Sequence, residues 1–115
     1  MFEVVKRDGQ VTEFNLGKIN DAIAKAFDAT QMSYNDDIIG LLSLRVSAHF
    51  QDKIKDGKVS VEAIQDSVET VLEQTGYTEV AKAYILYRKQ REKMRTMTST
   101  ILDYKDVVNS YVKIE

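Results

Sequence analysis

No proline interrupts this chain of 115 residues, and its five glycines, Gly9, Gly17, Gly40, Gly57 and Gly76, stand far apart. Both residue types break helices, so their scarcity leaves long stretches free to coil. Apolar spacing then divides the chain into four amphipathic segments. Leu16, Ile19, Ala22, Ile23, Ala26 and Phe27 share one side of a first helix predicted over 16–29, with Asn15 as its N-cap. A polar connection, 30–35, leads to Ile38, Leu41, Leu42, Arg45, Val46 and His49 in a second helix, for which Asp56-Gly57 is the predicted stop. Ser60 caps a third helix whose stripe is Val61, Ile64, Val68, Val71 and Leu72. Gly76 separates it from a fourth, in which Val80, Ala81, Ala83, Tyr84, Leu86 and Tyr87 precede a basic run from Arg88 to Arg95.

Ahead of the helices, Val4-Val5-Lys6-Arg7 and Val11-Thr12-Glu13-Phe14 have extended character and flank Asp8-Gly9. That dipeptide predicts a two-residue type I′ turn, which needs positive φ at both positions. The expected fold is α+β and mainly α, an N-terminal β-hairpin lid over a four-helix bundle. Thr98, Ser99 and Thr100 predict a polar joint. The apolar residues around Ile101-Leu102 and Tyr111-Val112 then suggest a short extra element without a partner in the bundle. The expected division is a module over 1–95, with 96–115 as a linker and the start of a catalytic domain.

Composition removes several classes of chemistry. The chain has no Cys and only one His, so neither a thiol nucleophile nor a Cys/His metal site can be assembled. His49 falls on the apolar side of the second helix and reads as structural. No segment reaches the roughly 20 apolar residues of a membrane span, and the N-terminus lacks a signal-peptide core. A cytoplasmic protein is expected. A net charge of −2 speaks against nucleic acid as partner. The carboxylates fall mostly on exposed helical positions, so no catalytic residue is assigned.

Local charge is more suggestive. Lys6 and Arg7 flank the tight turn, Lys18 lies one turn into the capped helix, and a helix start offers free N–H groups to an anion. Two readings stand at this point: solvated charges, or a phosphate clamp of ammonium and guanidinium. Adjacent strand residues point to opposite faces, which sets Lys6 and Arg7 against a common ligand unless the hairpin twists. The basic end of the fourth helix has the same pair of readings. No glycine begins a Gly-x-x-x-x-Gly-Lys-Ser/Thr loop, which speaks against a conventional phosphate-loop hydrolase.

Four ordered strings resemble ATP-cone domains: Val4-Val5-Lys6-Arg7-Asp8-Gly9; Phe14-Asn15-Leu16-Gly17-Lys18-Ile19 followed by Ala22-Ile23; Val59-Ser60-Val61-Glu62-Ala63-Ile64; and Tyr77-Thr78-Glu79-Val80-Ala81 through Tyr87-Arg88. The tail, with Ile101-Leu102-Asp103-Tyr104, is similar to the entry into an anaerobic, class III, ribonucleoside-triphosphate reductase. The resemblance implies allosteric control without chemistry of the module's own. ATP would leave the parent enzyme active and dATP would switch it off, with Mg2+ carried on the nucleotide. The catalytic domain would be a partner, and nucleotide would control homo-oligomer formation. By the same resemblance Lys6, Arg7 and Lys18 meet phosphates, Thr12, Glu13 and Asn15 line sugar and base beneath the hairpin, and Val4 is a further nucleotide-binding residue. Val61 closes the adenosine side, and Arg88 or Arg91 completes the phosphate end. Two other functions are open to such a chain: the cone of a nucleotide-sensing transcriptional repressor, and a helical protein-interaction module that takes no nucleotide.

Overall fold

In the computed structural model the backbone is described over residues 2–114 and the side chains over 2–97. Strand β1 (Glu3–Val5) pairs antiparallel with β2 (Val11–Glu13), in a register that sets Val4 opposite Thr12. The turn between them is not the expected two-residue one. Lys6 N–H donates to the Gln10 carbonyl at 2.7 Å, and Gly9 N–H to the Lys6 carbonyl at 3.0 Å. Gly9 takes φ +88°, while Asp8 is not among the residues with positive φ. Three residues, Arg7-Asp8-Gly9, therefore form the loop, and glycine alone occupies the left-handed position. The Asp8 carboxylate accepts the Gln10 N–H at 3.0 Å, which favours this longer turn.

Helix α1 (Leu16–Thr30) begins where the sequence placed it. Asn15 Oδ1 accepts the Gly17 N–H at 2.8 Å. A Cβ on Gly17 would come within 3.0 Å of that same oxygen, so glycine makes room for the cap. Ile19, Ile23, Ala26 and Phe27 are buried along its inner side. In the connection that follows, the Tyr34 hydroxyl donates to Asp28 at 2.9 Å, and the carboxylate pushes the phenol above its ordinary pKa.

Helix α2 (Asp36–His49) is capped by Asn35 and ends well before Asp56-Gly57. Phe50 is the reason. Fully buried, it leaves the helix to pack its ring against Phe2 and Phe14, at centroid distances of 5.7 and 5.8 Å. A turn of 3-10 helix, Gln51–Lys53, follows. At Asp56-Gly57 both φ angles are positive, +54° and +72°, and Lys55 and Lys58 exchange two backbone hydrogen bonds of 2.8 and 3.0 Å. The two-residue type I′ turn expected at Asp8-Gly9 thus occurs at the second Asp-Gly instead. Out of it comes β3 (Lys58–Ser60), which the sequence did not reveal and which runs parallel to β1, with Val4 beside Val59. The sheet order is β2-β1-β3, three strands instead of a bare hairpin.

Ser60 Oγ accepts the Ala63 N–H at 3.1 Å and starts α3 (Val61–Gln74). Gly76, at φ +89°, closes the helix with Gly76 N–H on the Glu73 carbonyl and Tyr77 N–H on that of Leu72, at 3.2 and 2.9 Å. Helix α4 (Thr78–Ile114) then runs on without a break. The polar joint expected at Thr98–Thr100 is helical backbone, since none of these residues prevents the i to i−4 ladder from continuing.

The chain separates into two units, Met1–Ile85 and Leu86–Glu115. The first holds the core: Ile23, Phe27, Val46, Phe50, Leu72 and Val80 have no exposed surface, and Val4 and Val59 bring the sheet onto them. Two buried hydroxyls are satisfied inside it, Ser43 by Asn20 and Ser67 by His49 Nδ1 at 2.9 Å. His49 thus has the structural role its position suggested. The second unit is the remainder of α4.

Candidate functional site

The three-residue turn changes what the hairpin can present. Arg7 belongs to the loop and not to the strand, so the alternation that opposed a shared ligand for Lys6 and Arg7 does not apply to it. Its guanidinium reaches across to the first turns of α3. Arg7 Nε lies 3.2 Å from Glu62 Oε1, and Nη2 donates to Gln65 Oε1 at 3.3 Å. The side chain is 25% exposed and that of Glu62 43%. Lys6, at the mouth of the turn, is exposed. Val61, half-buried, is the first residue of the helix to which Arg7 is docked. The structure therefore joins the hairpin tip to the α3 start through Arg7, with Lys6 next to it in the chain.

A second group forms at the hairpin base. Val4 and Thr12 are cross-strand partners on the face turned to the helices, the first buried and the second half-buried. Glu13 alternates to the other face, where its partner is Glu3. Two residues further on, Asn15 spends its side-chain oxygen on Gly17, so its amide hydrogens are what it can offer a ligand. Lys18 N–H bonds the Asn15 carbonyl at 3.1 Å, and its side chain is exposed at the helix start.

Arg88 and Arg91 fall in the second unit. Arg88 is half-buried, whereas Arg91 is exposed and lies over the Tyr87 ring, 5.9 Å from its centroid.

Glu62 and Gln65 were not singled out by the sequence, though their i, i+3 spacing behind a Ser cap marks them as neighbours on one helix face. Also unforeseen is an open concavity of about 520 Å³ lined by Val5, Asp52, Lys53, Lys55, Lys58, Val59 and Ser60. The string Lys53-Ile54-Lys55-Asp56-Gly57-Lys58 carried its charge in plain view, but only the second Asp-Gly turn folds those lysines together. Among the described residues no cluster of three His, Cys, Asp or Glu could hold a metal ion, and no helix is long and apolar enough to cross a membrane.

Known proteins resemble this chain in sequence. The chain is 43% identical over 98 residues to a vitamin B12-dependent ribonucleoside-diphosphate reductase of Thermoplasma acidophilum, covering 81% of the chain and 12% of that protein. It is 37% identical over 100 residues to a ribonucleoside-diphosphate reductase subunit alpha of Chlamydia trachomatis, covering 80% and 10%. With an anaerobic ribonucleoside-triphosphate reductase of Haemophilus influenzae it shares 35% over 103 residues, covering 87% and 14%. The chain thus spans about an eighth of the length of these relatives. The ATP cone domain model matches residues 2–93, which takes in the sheet, the first three helices and the start of α4 through most of its basic run. With that model matching most of its length, the chain belongs to the ATP cone domain family, a family of regulatory nucleotide-binding modules.

Proposed function

We propose that this module binds ATP and dATP and regulates the overall activity of a ribonucleotide reductase, ATP leaving the enzyme active and dATP inhibiting it. The observation that carries the reading is Arg7, held in the hairpin turn over the capped start of α3 with Lys6 beside it. A guanidinium fork, an ammonium and a helix N-terminus are the three groups that most readily take a phosphate chain. Lys18 extends the set to the start of α1. Val4, Thr12 and Asn15 would meet sugar and base from the hairpin side, with Glu13 at the strand end, and Val61 would meet the adenosine from α3. Arg88 or Arg91 would add a further phosphate contact, and Mg2+ would arrive with the nucleotide.

ATP and dATP differ at one hydroxyl. A single hydrogen bond contributes about 1 kcal/mol, and allosteric couplings are about 1 to 3 kcal/mol, so one polar contact near the ribose 2′ position is enough to bias a switch. Half-buried Thr12 is a group of the right kind. The chain itself carries out no reaction in this reading: residues 1–95 sense nucleotide, and 96–115 lead into the catalytic domain of the parent, for which the anaerobic kind is our assignment. The state of that parent, including its self-association, would be what nucleotide controls.

Thermal melts with and without nucleotide test the reading. Millimolar ATP and dATP should each raise the melting temperature, because a ligand that binds only the folded state stabilises it. The double substitution Lys6→Ala, Arg7→Ala should abolish that rise while leaving the nucleotide-free melt within a few degrees. No rise with either nucleotide overturns the proposal.

A further inference from the structure

The edge of Arg7 that a phosphate would take is occupied by the protein itself. Nε and Nη2 form one side of the guanidinium fork, the pair of donors suited to bidentate recognition of an oxyanion. Here Nε faces Glu62 Oε1 at 3.2 Å and Nη2 donates to Gln65 Oε1 at 3.3 Å. We infer that Glu62 is an internal competitor for the phosphate chain, a carboxylate held on Arg7 that the ligand must displace, and that it sets the site's affinity according to ligand charge. This rests on the reading of the hairpin as the nucleotide site.

Physical chemistry gives the competitor its direction. When an anion takes the Nε edge, Glu62 loses its cation and is left beside a second negative group, so it must turn into water. With 43% of its side chain exposed, that turn is open to it. Exchange is unfavourable for a weakly charged ligand, whose attraction to Arg7 barely exceeds that of the carboxylate it replaces. For a polyphosphate the attraction is larger and the exchange goes forward. Adenosine offers Arg7 nothing and leaves the pair intact. Gln65 makes the arrangement specific to the fork, because a neutral acceptor beside the carboxylate fixes the guanidinium plane.

Isothermal titration of the whole chain with ATP, ADP, AMP and adenosine tests this. Glu62→Gln keeps the size of the side chain and removes the competing charge. ATP affinity should rise about three- to five-fold, the range a partly exposed ion pair can supply. The gain should shrink through ADP to AMP and vanish for adenosine. Gln65→Glu should act in the opposite sense, weakening ATP by adding a second carboxylate to the same edge. A third comparison separates displacement from plain repulsion. In an Arg7→Lys background the fork is gone, and the gain from Glu62→Gln should fall to less than half. A gain that persists undiminished there overturns the inference, as does unchanged or weakened ATP binding by Glu62→Gln, or an equal gain for adenosine. Should the unsubstituted chain bind none of the four ligands, the reading of the site itself falls and the competitor with it.

Discussion

The same dipeptide, Asp-Gly, makes two turns in this molecule, and they are built differently. At Asp8-Gly9 the loop has three residues and only glycine takes positive φ; at Asp56-Gly57 it has two, and both do. Attachments differ as well. Glu3 N–H donates to the Gly57 carbonyl at 2.8 Å, so the second turn is sewn to β1 through its backbone. Beyond its own strands, the first is fastened by a side chain, Arg7, to α3. The cation at the tip of the first turn is therefore engaged through groups that a ligand can replace. The lysines of the second turn help line an open concavity, on backbone that pairs with β1. A ladder bond holds a turn more firmly than a pair of exchangeable side-chain contacts does.

Burial gives the largest expected contrast between the two arms. Val59, 3% exposed, carries the second turn into the core, whereas Val11, 45% exposed, continues the first. Val59→Ala should cost about 2 kcal/mol in urea denaturation, from two buried methyl-sized groups and the cavity they leave. Val11→Ala should cost a few tenths at most. Equal costs would mean that β3 contributes nothing the hairpin lacks.

Backbone strain comes next. A Cβ on Gly9 or on Gly57 would meet nothing within 4 Å, so alanine at either is disfavoured only by its left-handed φ. Each Gly→Ala substitution should cost about 1 to 2 kcal/mol. Only Gly9→Ala should also disturb the Arg7 contact, which the Arg7 Nε–Hε resonance would report. A third pair separates the turns by their aspartates. Asp8→Gly loses the bond to Gln10 N–H and adds chain entropy, while Asp56→Gly adds the same entropy but relieves a non-glycine residue at φ +54°. Asp8→Gly should be the more destabilising by about 1 kcal/mol. Reversal of that order would contradict the assignment of turn types.

Legibility in the sequence followed how local each determinant is. Asn15, Ser60 and Gly76 act within one turn of their own positions, and the boundaries they set for α1, α3 and the start of α4 could be read directly. The end of α2 could not, because Phe50 stops the helix to reach Phe2 and Phe14, more than 30 residues away. Gly57 offered a plausible stop nearer at hand. Strand β3 has three residues and one buried side chain, and its partner β1 lies across two helices, so no local period announces it. The candidate site divides in the same way. Lys6 and Arg7 were visible as charges beside a turn, but Gln65 lies 58 residues from the arginine it holds. Only the fold brings the two together.

The smallest expected effect concerns charge across the second turn. Lys55 and Lys58 are directly opposed in an antiparallel bridge, and like charges so placed repel. Nothing comparable burdens the first turn, where Lys6 is opposed by neutral Gln10. Lys55→Glu should therefore stabilise the chain by a few tenths of a kcal/mol at low ionic strength, by turning a repulsive pair into an attractive one. Salt should erase the gain, since both side chains are exposed and charges in water are screened within about 10 Å at 0.1 M. The matching substitution in the first turn, Lys6→Glu, relieves no repulsion and should not stabilise. Melting both variants from 10 mM to 1 M NaCl reads the difference. A gain for Lys55→Glu that survives 1 M salt would place its origin outside the opposed lysines.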